Sequence, residues 1–123
     1  MRLKDYFSKT YETRDNHEIQ SLRTHYYRTR KEDVVDAVYT VLKKMGAVVS
    51  DANIERGEII IDAGEFSGTI TITATSFTEI ACDISVITYN FLPTGKGVRV
   101  IEKFYSILDT LVPLKGLGLH ASF

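Results

Sequence analysis

The run of residues 22–111 is the feature that most constrains the fold, because two kinds of hydrophobic periodicity follow one another along it. Apolar residues recur at every second position in short segments, as in strands with one buried face, and at every third or fourth position in two longer segments, as in helices. The resulting order is strand, helix, four strands, helix. Such a sheet can bury one face only beneath its helices, so the run predicts an α+β domain of about five antiparallel strands (β-α-β-β-β-β-α) with both helices on one face.

The first strand and the first helix are predicted from residues 22–46. Alternation over residues 22–28 predicts the strand and places Tyr26 and Tyr27 on opposite faces. Thr29 and Glu32 match a capping box, which predicts a helix start, and Gly46 predicts its end because glycine adopts the left-handed conformation easily. The apolar stripe of this helix is Val34, Ala37, Val38, Val41, Leu42 and Met45.

The remaining elements follow from the same periodicities. Residues 47–52 and 58–63 predict a hairpin, and Gly64 and Gly68 bracket a second predicted turn. Two further strands have their inward positions at Ile70, Ile72, Ala74, Ile80, Cys82, Ile84 and Val86. The second helix is predicted from the stripe Val98, Ile101, Phe104, Tyr105, Leu108 and Leu111, ended by Pro113.

The two ends of the chain are predicted to lie outside this domain, which spans residues 21–113. Residues 1–20 are predicted to form an N-terminal arm that is either a short helix docked on the body or a mobile segment, and residues 114–123 a loose tail. The stripe of the arm is Leu3, Tyr6, Phe7 and Tyr11.

Bulk properties narrow the class of protein. A chain of 123 residues is long enough for one independently folding domain. Fifteen basic and sixteen acidic residues give a net charge of -1, which provides no general attraction for nucleic acid. The single cysteine cannot form an intrachain disulfide, and no apolar stretch approaches the roughly 20 residues that span a bilayer. We therefore expect a cytoplasmic protein without nucleic-acid or membrane partners.

The residue types that usually signal catalysis or metal binding do not form a pattern here. Lys96 lies between two glycines before a helix, but the spacing does not match a Walker loop. The three histidines are too scattered for a metal site, and Cys82 belongs to an inward register. Asp62 and Asp83 share the outward register and are possible cross-strand neighbours, which would remain ionised in solvent. We expect no enzymatic activity, no cofactor and no metal.

The outward face of the sheet is the leading candidate for an interaction. Its acidic residues would repel phosphate, so it suits a basic or neutral partner; they are Glu58, Asp62, Glu79 and Asp83. Apolar side chains in the same register indicate a protein interface or self-association. The predicted contacts are Ile60, Ile87 and Tyr89, or the strip at Tyr27 and Arg28.

A pocket between the sheet and the helices is the alternative hypothesis. An aromatic loop leads into the start of the second helix, which favours binding of a small apolar or anionic ligand there. The residues expected near its mouth are Phe91, Lys96 and Tyr105.

Four segments of the chain resemble a family of small uncharacterised cytosolic proteins from Bacillus and its relatives. The matching segments are Thr13-Arg14-Asp15-Asn16-His17, Leu22-Arg23-Thr24-His25-Tyr26-Tyr27, Glu55-Arg56-Gly57-Glu58-Ile59 and Ile101-Glu102-Lys103-Phe104-Tyr105. The resemblance implies a cytosolic location and a fold, and it implies no catalytic residue. The element order is also similar to TATA-box-binding-protein-like and helix-grip architectures, and to a domain of unknown function with an "ERG" turn before its third strand.

Overall fold

A computed structural model describes residues 8–89 and 95–118 and confirms the α+β class. A seven-stranded antiparallel sheet lies on one side and two helices cover one of its faces. The strands are β1 (Ser8–Glu12), β2 (His25–Tyr27), β3 (Val48–Asn53), β4 (Glu58–Asp62), β5 (Phe66–Ser76), β6 (Glu79–Tyr89) and β7 (Leu114–Leu117). The helices are α1 (Lys31–Met45) and α2 (Lys96–Leu111).

The sheet is organised around β5 and β6, which are its longest strands. The strand order is β3-β4-β5-β6-β2-β7, and β1 also pairs with β6. Ile70 opposes Ile84 and Ile72 opposes Cys82 on the face beneath the helices, while Thr69 and Thr71 occupy the other face. The predicted period-two alternation is confirmed in β6 and in β5 as far as Ile72, whereas Ala74, predicted to face inward, is exposed near the hairpin turn.

Both helices bury their apolar stripes in one continuous core over the inner face of the sheet, except that Leu111, predicted in the stripe of α2, is 40% exposed at the end of the helix. Each fully buried aliphatic side chain contributes roughly 1.5–3 kcal/mol through removal of its surface from water. The largest fully buried members are Tyr27, Phe104, Leu42, Ile59, Ile61, Ile70, Ile72, Ile80, Ile84, Ile101 and Leu108. The inner face is therefore a packed layer, and neither of the two described helices lies over the opposite face, called here the outer face.

The end of α1 is as predicted and its start is not. Gly46 has a left-handed φ of 72°, and its N–H group donates to carbonyls of the last turn. At the other end, the N-cap residue is Arg30 and no side chain caps the helix. The Thr29 hydroxyl donates to the Asp33 carboxylate at 2.6 Å, because the extended Arg30 places Thr29 outside the first turn and beyond reach of its free N–H groups.

The predicted N-terminal helix is wrong over the residues that are described, since Ser8–Glu12 is strand β1. The far edge of β6 from Ser85 to Tyr89 needs backbone partners, and β1 supplies them. This long-range pairing overrides the helical spacing of the arm. Tyr11 packs against the start of α2, while Leu3, Tyr6 and Phe7 lie outside the described residues.

Three further boundaries differ from the prediction. The tail is not loose over Leu114–Leu117, which pairs with β2 as strand β7. The first strand is shorter than residues 22–28, because Leu22 ends a 3-10 turn. Gly68 lies within β5 and not in a turn, and a side chain there would place its Cβ 2.4 Å from the Ser85 carbonyl oxygen of the neighbouring strand.

Replacing Gly97 by alanine tests the docking of β1 on α2. A methyl group at this helical position would lie 2.0 Å from Tyr11 Cδ2. Helix propensity alone favours alanine by roughly 1 kcal/mol. We expect Gly97→Ala to lower the free energy of unfolding by about 1–3 kcal/mol in urea titrations, because the ring must move. Ser106→Ala, at an exposed position of the same helix, is the control, and a stabilised Gly97→Ala protein would contradict this packing.

Candidate functional site

A short gap in the sheet positions the polar side chains of the outer face. Along its far edge β6 pairs with β1 from Ser85 onward and with β2 up to Cys82. Neither strand reaches Asp83 and Ile84. The Thr13 N–H group donates to the Ile84 carbonyl at 3.0 Å, and the Ile84 N–H group donates to Thr13 Oγ1 at 2.9 Å. A threonine thus completes the hydrogen bonding of the sheet at this point.

Asp83 lies beside this gap and is held by two threonine hydroxyls. Thr13 Oγ1 and Thr24 Oγ1 donate to Asp83 Oδ1 at 2.7 and 2.6 Å. In residues 8–89 and 95–118, every buried side-chain oxygen or nitrogen has a hydrogen-bond partner. Because both bonds to this carboxylate end on Oδ1, Oδ2 is in contact with solvent. The carboxylate is therefore fixed in orientation with one oxygen open.

Asp83 forms the floor of a depression of about 260 Å³ in the outer face. Glu12 also lines it and is exposed, and neither carboxylate forms an ion pair with a lysine or arginine of residues 10–89 and 95–118. We call this site the Asp83 depression; its lining is Glu12, Thr13, Thr69, Thr71, Asp83, Ile84 and Ser85. Two carboxylates among hydroxyl groups suit a cation that bears several N–H donors.

The electrostatic environment of the depression is negative. Burial raises the pKa of Asp83 above its ordinary value, although the hydrogen bonds from Thr24 and Thr13 oppose the shift, and the charge of Asp15 raises this pKa further. Burial also raises the pKa of neighbouring Tyr26, as do its hydrogen bond to Asp15 and the charge of Asp83. Carboxylates thus disfavour further negative charge along this part of the outer face.

The apolar side chains predicted as contacts share the outer face without touching. Ile60 is 40% exposed and opposes Thr69, whereas Ile87 is half-buried and lies between Ser67 and Thr10. Since the two isoleucines lie on strands separated by β5, hydroxyl-bearing residues intervene. Tyr89 is half-buried and its hydroxyl lies 2.8 Å from Ser67 Oγ. These residues do not form one apolar patch.

The carboxylates expected as neighbours are also separated. Asp83 opposes Thr71, which opposes Glu58 on the next strand. Asp62 lies farther along the sheet, opposite Ser67. The acidic side chain nearest to Asp83 across β5 is therefore in the row of Glu58, because strand register pairs it with the same threonine.

Tyr27 is on the inner face and is fully buried, so it is not available as a surface contact. Its hydroxyl donates to Asp109 Oδ1 at 2.7 Å, and His25 Nδ1 lies 3.0 Å from the same oxygen. Burial raises the pKa of the Tyr27 hydroxyl well above its usual value. Arg28 is exposed, but its partner in the predicted strip points inward, because the alternation of β2 places His25 and Tyr27 beneath the helices.

Two of the three residues predicted near a pocket mouth are described, and both have partners within the fold. Tyr105 is 3% exposed, and its hydroxyl donates to the Cys82 carbonyl at 2.7 Å and to Thr13 Oγ1 at 3.3 Å. Its ring stacks on His25 with centroids 3.5 Å apart. Lys96 forms an ion pair with Glu65 at the start of α2. Phe91, the third predicted residue, lies outside the described residues.

The described residues were also compared with the requirements of a metal site and of a membrane-spanning helix. Among residues 8–89 and 95–118, no three His, Cys, Asp or Glu side chains converge as metal ligands. In the same part of the chain neither helix is long and apolar enough to cross a bilayer.

Three residues of this site are not predicted from the sequence. Glu12 and Thr13 lie in the segment interpreted as a helical arm, and Thr24 was placed in a regular strand. One signal could have revealed them: residues 8–13 also alternate Lys9 and Tyr11 with Thr10 and Glu12, which is typical of a strand. The contact of Thr13 with Asp83 spans 70 residues and has no local signature.

Replacing Tyr27 by phenylalanine tests the inward placement of this hydroxyl. The change removes one hydrogen bond to a carboxylate in a buried site, so we expect the free energy of unfolding to fall by about 1–3 kcal/mol in chemical denaturation. Tyr39→Phe, at an exposed position of α1, is the matched control and should have no measurable effect. Equal stabilities of the two variants would contradict the burial of Tyr27.

Replacing Asp83 by asparagine tests whether the ionised carboxylate lowers the stability of the folded state. Because its pKa is raised in the folded state, folding favours its protonated form, and the wild-type protein loses stability as pH rises through and above the ordinary value of 3.8. We expect Asp83→Asn to be as stable as wild type at neutral pH or more stable by no more than about 1 kcal/mol, since solvent screens the half-exposed group. Thermal unfolding between pH 4 and neutrality, at about unit intervals, should show a flatter pH dependence in the variant. A variant clearly less stable than wild type at neutral pH would contradict the raised pKa of Asp83.

Comparison with known proteins supplies no relative from which a role could be transferred. No protein-family model matches the chain, and no curated protein matches it. The resemblance to the Bacillus family and to TATA-box-binding-protein-like or helix-grip architectures therefore stays a prediction, and the function must be argued from the geometry of the outer face.

Proposed function

We propose that this domain is a non-enzymatic binding module whose outer sheet face receives a basic segment of a partner protein, with one cationic side chain seated in the Asp83 depression. One observation supports it above the others: two carboxylates lie among hydroxyls in a solvent-open depression, and no lysine or arginine of residues 10–89 and 95–118 forms an ion pair with them. A partner's cation would supply the missing charge.

The sheet surface around the Asp83 depression is also acidic and so also favours a positively charged partner. Acidic side chains lie on either side of the threonine ladder of β5, and Arg56 pairs with one of them, Glu58, at 3.4 Å. This surface repels phosphate, which disfavours nucleic acid. An extended basic segment could follow the ladder and exchange hydrogen bonds with Thr69 and Thr71.

Arginine fits the depression better than lysine. A guanidinium group presents five N–H donors in a planar fork, whereas an ammonium group is a compact point charge. The acceptors here are the open Oδ2 of Asp83, the carboxylate of Glu12 and the hydroxyl of Ser85, which line different sides of one shallow site. A planar group can reach several of them together, so we expect arginine to bind more tightly.

The positions of the reactive groups support a proposal of binding rather than catalysis. His25 is 6% exposed, its Nδ1 faces Asp109, and one face of its ring is covered by Tyr105. A general base must reach the proton that it abstracts. The carboxylates of the outer face are accessible to solvent and lie near other charged groups, and this arrangement favours recognition of a cationic partner.

Self-association through this face is disfavoured by the same charges. Two copies meeting face to face would place carboxylates near carboxylates, and like charges that are close together cost binding energy. Ile60 and Ile87 are too far apart to offset this with one apolar contact. The proposed partner is accordingly a different, basic protein segment, and we place the domain in the cytoplasm, where the buried thiol of Cys82 stays reduced.

Titration with oligo-arginine, oligo-lysine and oligo-glutamate peptides of equal length tests this function. We expect wild-type protein to bind oligo-arginine most tightly and oligo-glutamate not at all by calorimetry at low salt. Asp83→Asn and Glu12→Gln should each weaken oligo-arginine binding by roughly fivefold or more, as expected when one partner of a close charge pair is lost. Added salt should weaken binding in wild type.

Glu102→Gln provides the matched control, because it removes one exposed carboxylate from α2 and leaves the outer face intact. If it weakens binding as much as Asp83→Asn does, the peptides respond only to net charge and the site is wrong. Absence of oligo-arginine binding to wild type would also overturn the proposal.

A further inference from the structure

Phe77 is a highly exposed aromatic side chain at one end of the sheet, away from the Asp83 depression. It is 86% exposed in the two-residue turn between β5 and β6. Such turns favour glycine, asparagine and aspartate, and nothing in the backbone here requires phenylalanine, since φ is negative at both positions. The ring is nearly as open to water as in the unfolded chain, so it adds almost nothing to folding, and a binding role would explain its presence.

A groove lies close to this tip, across the first turn of α1. Its volume is about 410 Å³, and its apolar wall is formed by Val35 and by Ile54, which is 43% exposed. Ile54 belongs to the turn between β3 and β4, which Lys31 holds to the helix by donating to the Glu55 carbonyl at 3.3 Å. The groove is therefore supported by two elements of the fold.

Phe77 and the groove share one surface. Hairpins β3–β4 and β5–β6 turn at the same end of an antiparallel sheet, and α1 begins between them. Lys31 and Glu32 line both the groove and the smaller depression of about 230 Å³ beside Phe77. We call this surface, formed by Lys31, Glu32, Val35, Ile54 and Phe77, the turn-end surface.

We infer that the turn-end surface binds a second copy of this chain in a two-fold dimer, with Phe77 of each copy in the groove of the other. A two-fold contact needs a self-complementary surface. This one has a projecting ring and an apolar groove on either side of adjacent residues of opposite charge. Rotation about an axis through that pair brings Lys31 of each copy toward Glu32 of the other, and this charge complementarity selects a second copy as the occupant.

The charges beside Phe77 disfavour a lipid surface. Anionic lipids attract clusters of excess lysine and arginine. Here Arg30 lies 3.9 Å from Asp33, and Lys31 is followed by Glu32, so the positive charges are balanced. The dimer does not depend on the proposed function, because it leaves the Asp83 depression exposed on both copies.

Sedimentation velocity from micromolar to submillimolar concentration tests the dimer directly. We expect wild type to associate reversibly and Phe77→Ser to associate at least roughly tenfold more weakly, as for loss of a central aromatic contact. Ile60→Thr is the control, because Ile60 is an exposed isoleucine of the outer face and threonine suits its strand. The chain has no tryptophan, so the emission of Phe77→Trp should move to shorter wavelength as concentration rises.

Charge reversal tests the two-fold geometry. Lys31→Glu and Glu32→Lys should each weaken self-association, by roughly threefold or more at low salt, since each creates two like-charge contacts. An equimolar mixture of the two variants restores both opposite-charge pairs and should associate more tightly than either variant alone. Circular dichroism confirms that each variant is folded.

Four outcomes would overturn the inference. The first two concern the dimer itself: wild type stays monomeric at submillimolar concentration, or the dimer is lost in Ile60→Thr and retained in Phe77→Ser. The third is that the mixture of charge variants associates no better than either variant alone, and the fourth is that the protein is monomeric and binds anionic vesicles through Phe77.

Discussion

The far edge of β6 is the constraint on which the rest of the structure depends. An eleven-residue central strand must satisfy its backbone groups on both sides, and β5 does so on one side along almost its whole length. On the other side β1 and β2 are each too short, so they share the edge and leave a gap at Asp83 and Ile84. The hydroxyl of Thr13 closes that gap, and Asp83 is fixed as a consequence.

A polar connection runs through the sheet at the same place. Thr13 accepts from Tyr105, which belongs to α2 on the inner side, and donates to Asp83 on the outer side. Tyr105 stacks on His25, which faces Asp109. Helix α2, strand β2 and the proposed binding face are thus joined by side chains that are buried and hydrogen-bonded, and such satisfied networks hold their members in one arrangement. The carboxylate that we propose to meet a partner is therefore preorganised by the core.

The two faces of the sheet are specialised because each strand contributes alternately to both. Most isoleucine, valine and cysteine positions of β4, β5 and β6 face the helices, and most threonine, serine and carboxylate positions face the other way; Ile60 and Ile87 are outer-face isoleucines, and Thr88 is buried. The outer face is too polar to be an ordinary buried layer and too acidic to meet a copy of itself. Self-association is instead assigned to the turn-end surface, so that the two proposed contacts use separate parts of the molecule.

The amphipathic patterns of the chain predict its fold class, the order of elements from residue 22 onward, the apolar stripes apart from Leu111, and the registers of most positions in β4, β5 and β6. Those features are periodic and local, so amphipathic patterns report them directly. Folding in three dimensions is needed to see that Ser8–Glu12 and Leu114–Leu117 are strands, that Thr29 does not cap α1, that Tyr27 and Tyr105 are buried, and that Glu12, Thr13 and Asp83 form one site. These outcomes depend on backbone groups paired across long stretches of chain, and short segments adopt whatever conformation satisfies a partner that their own residues do not specify.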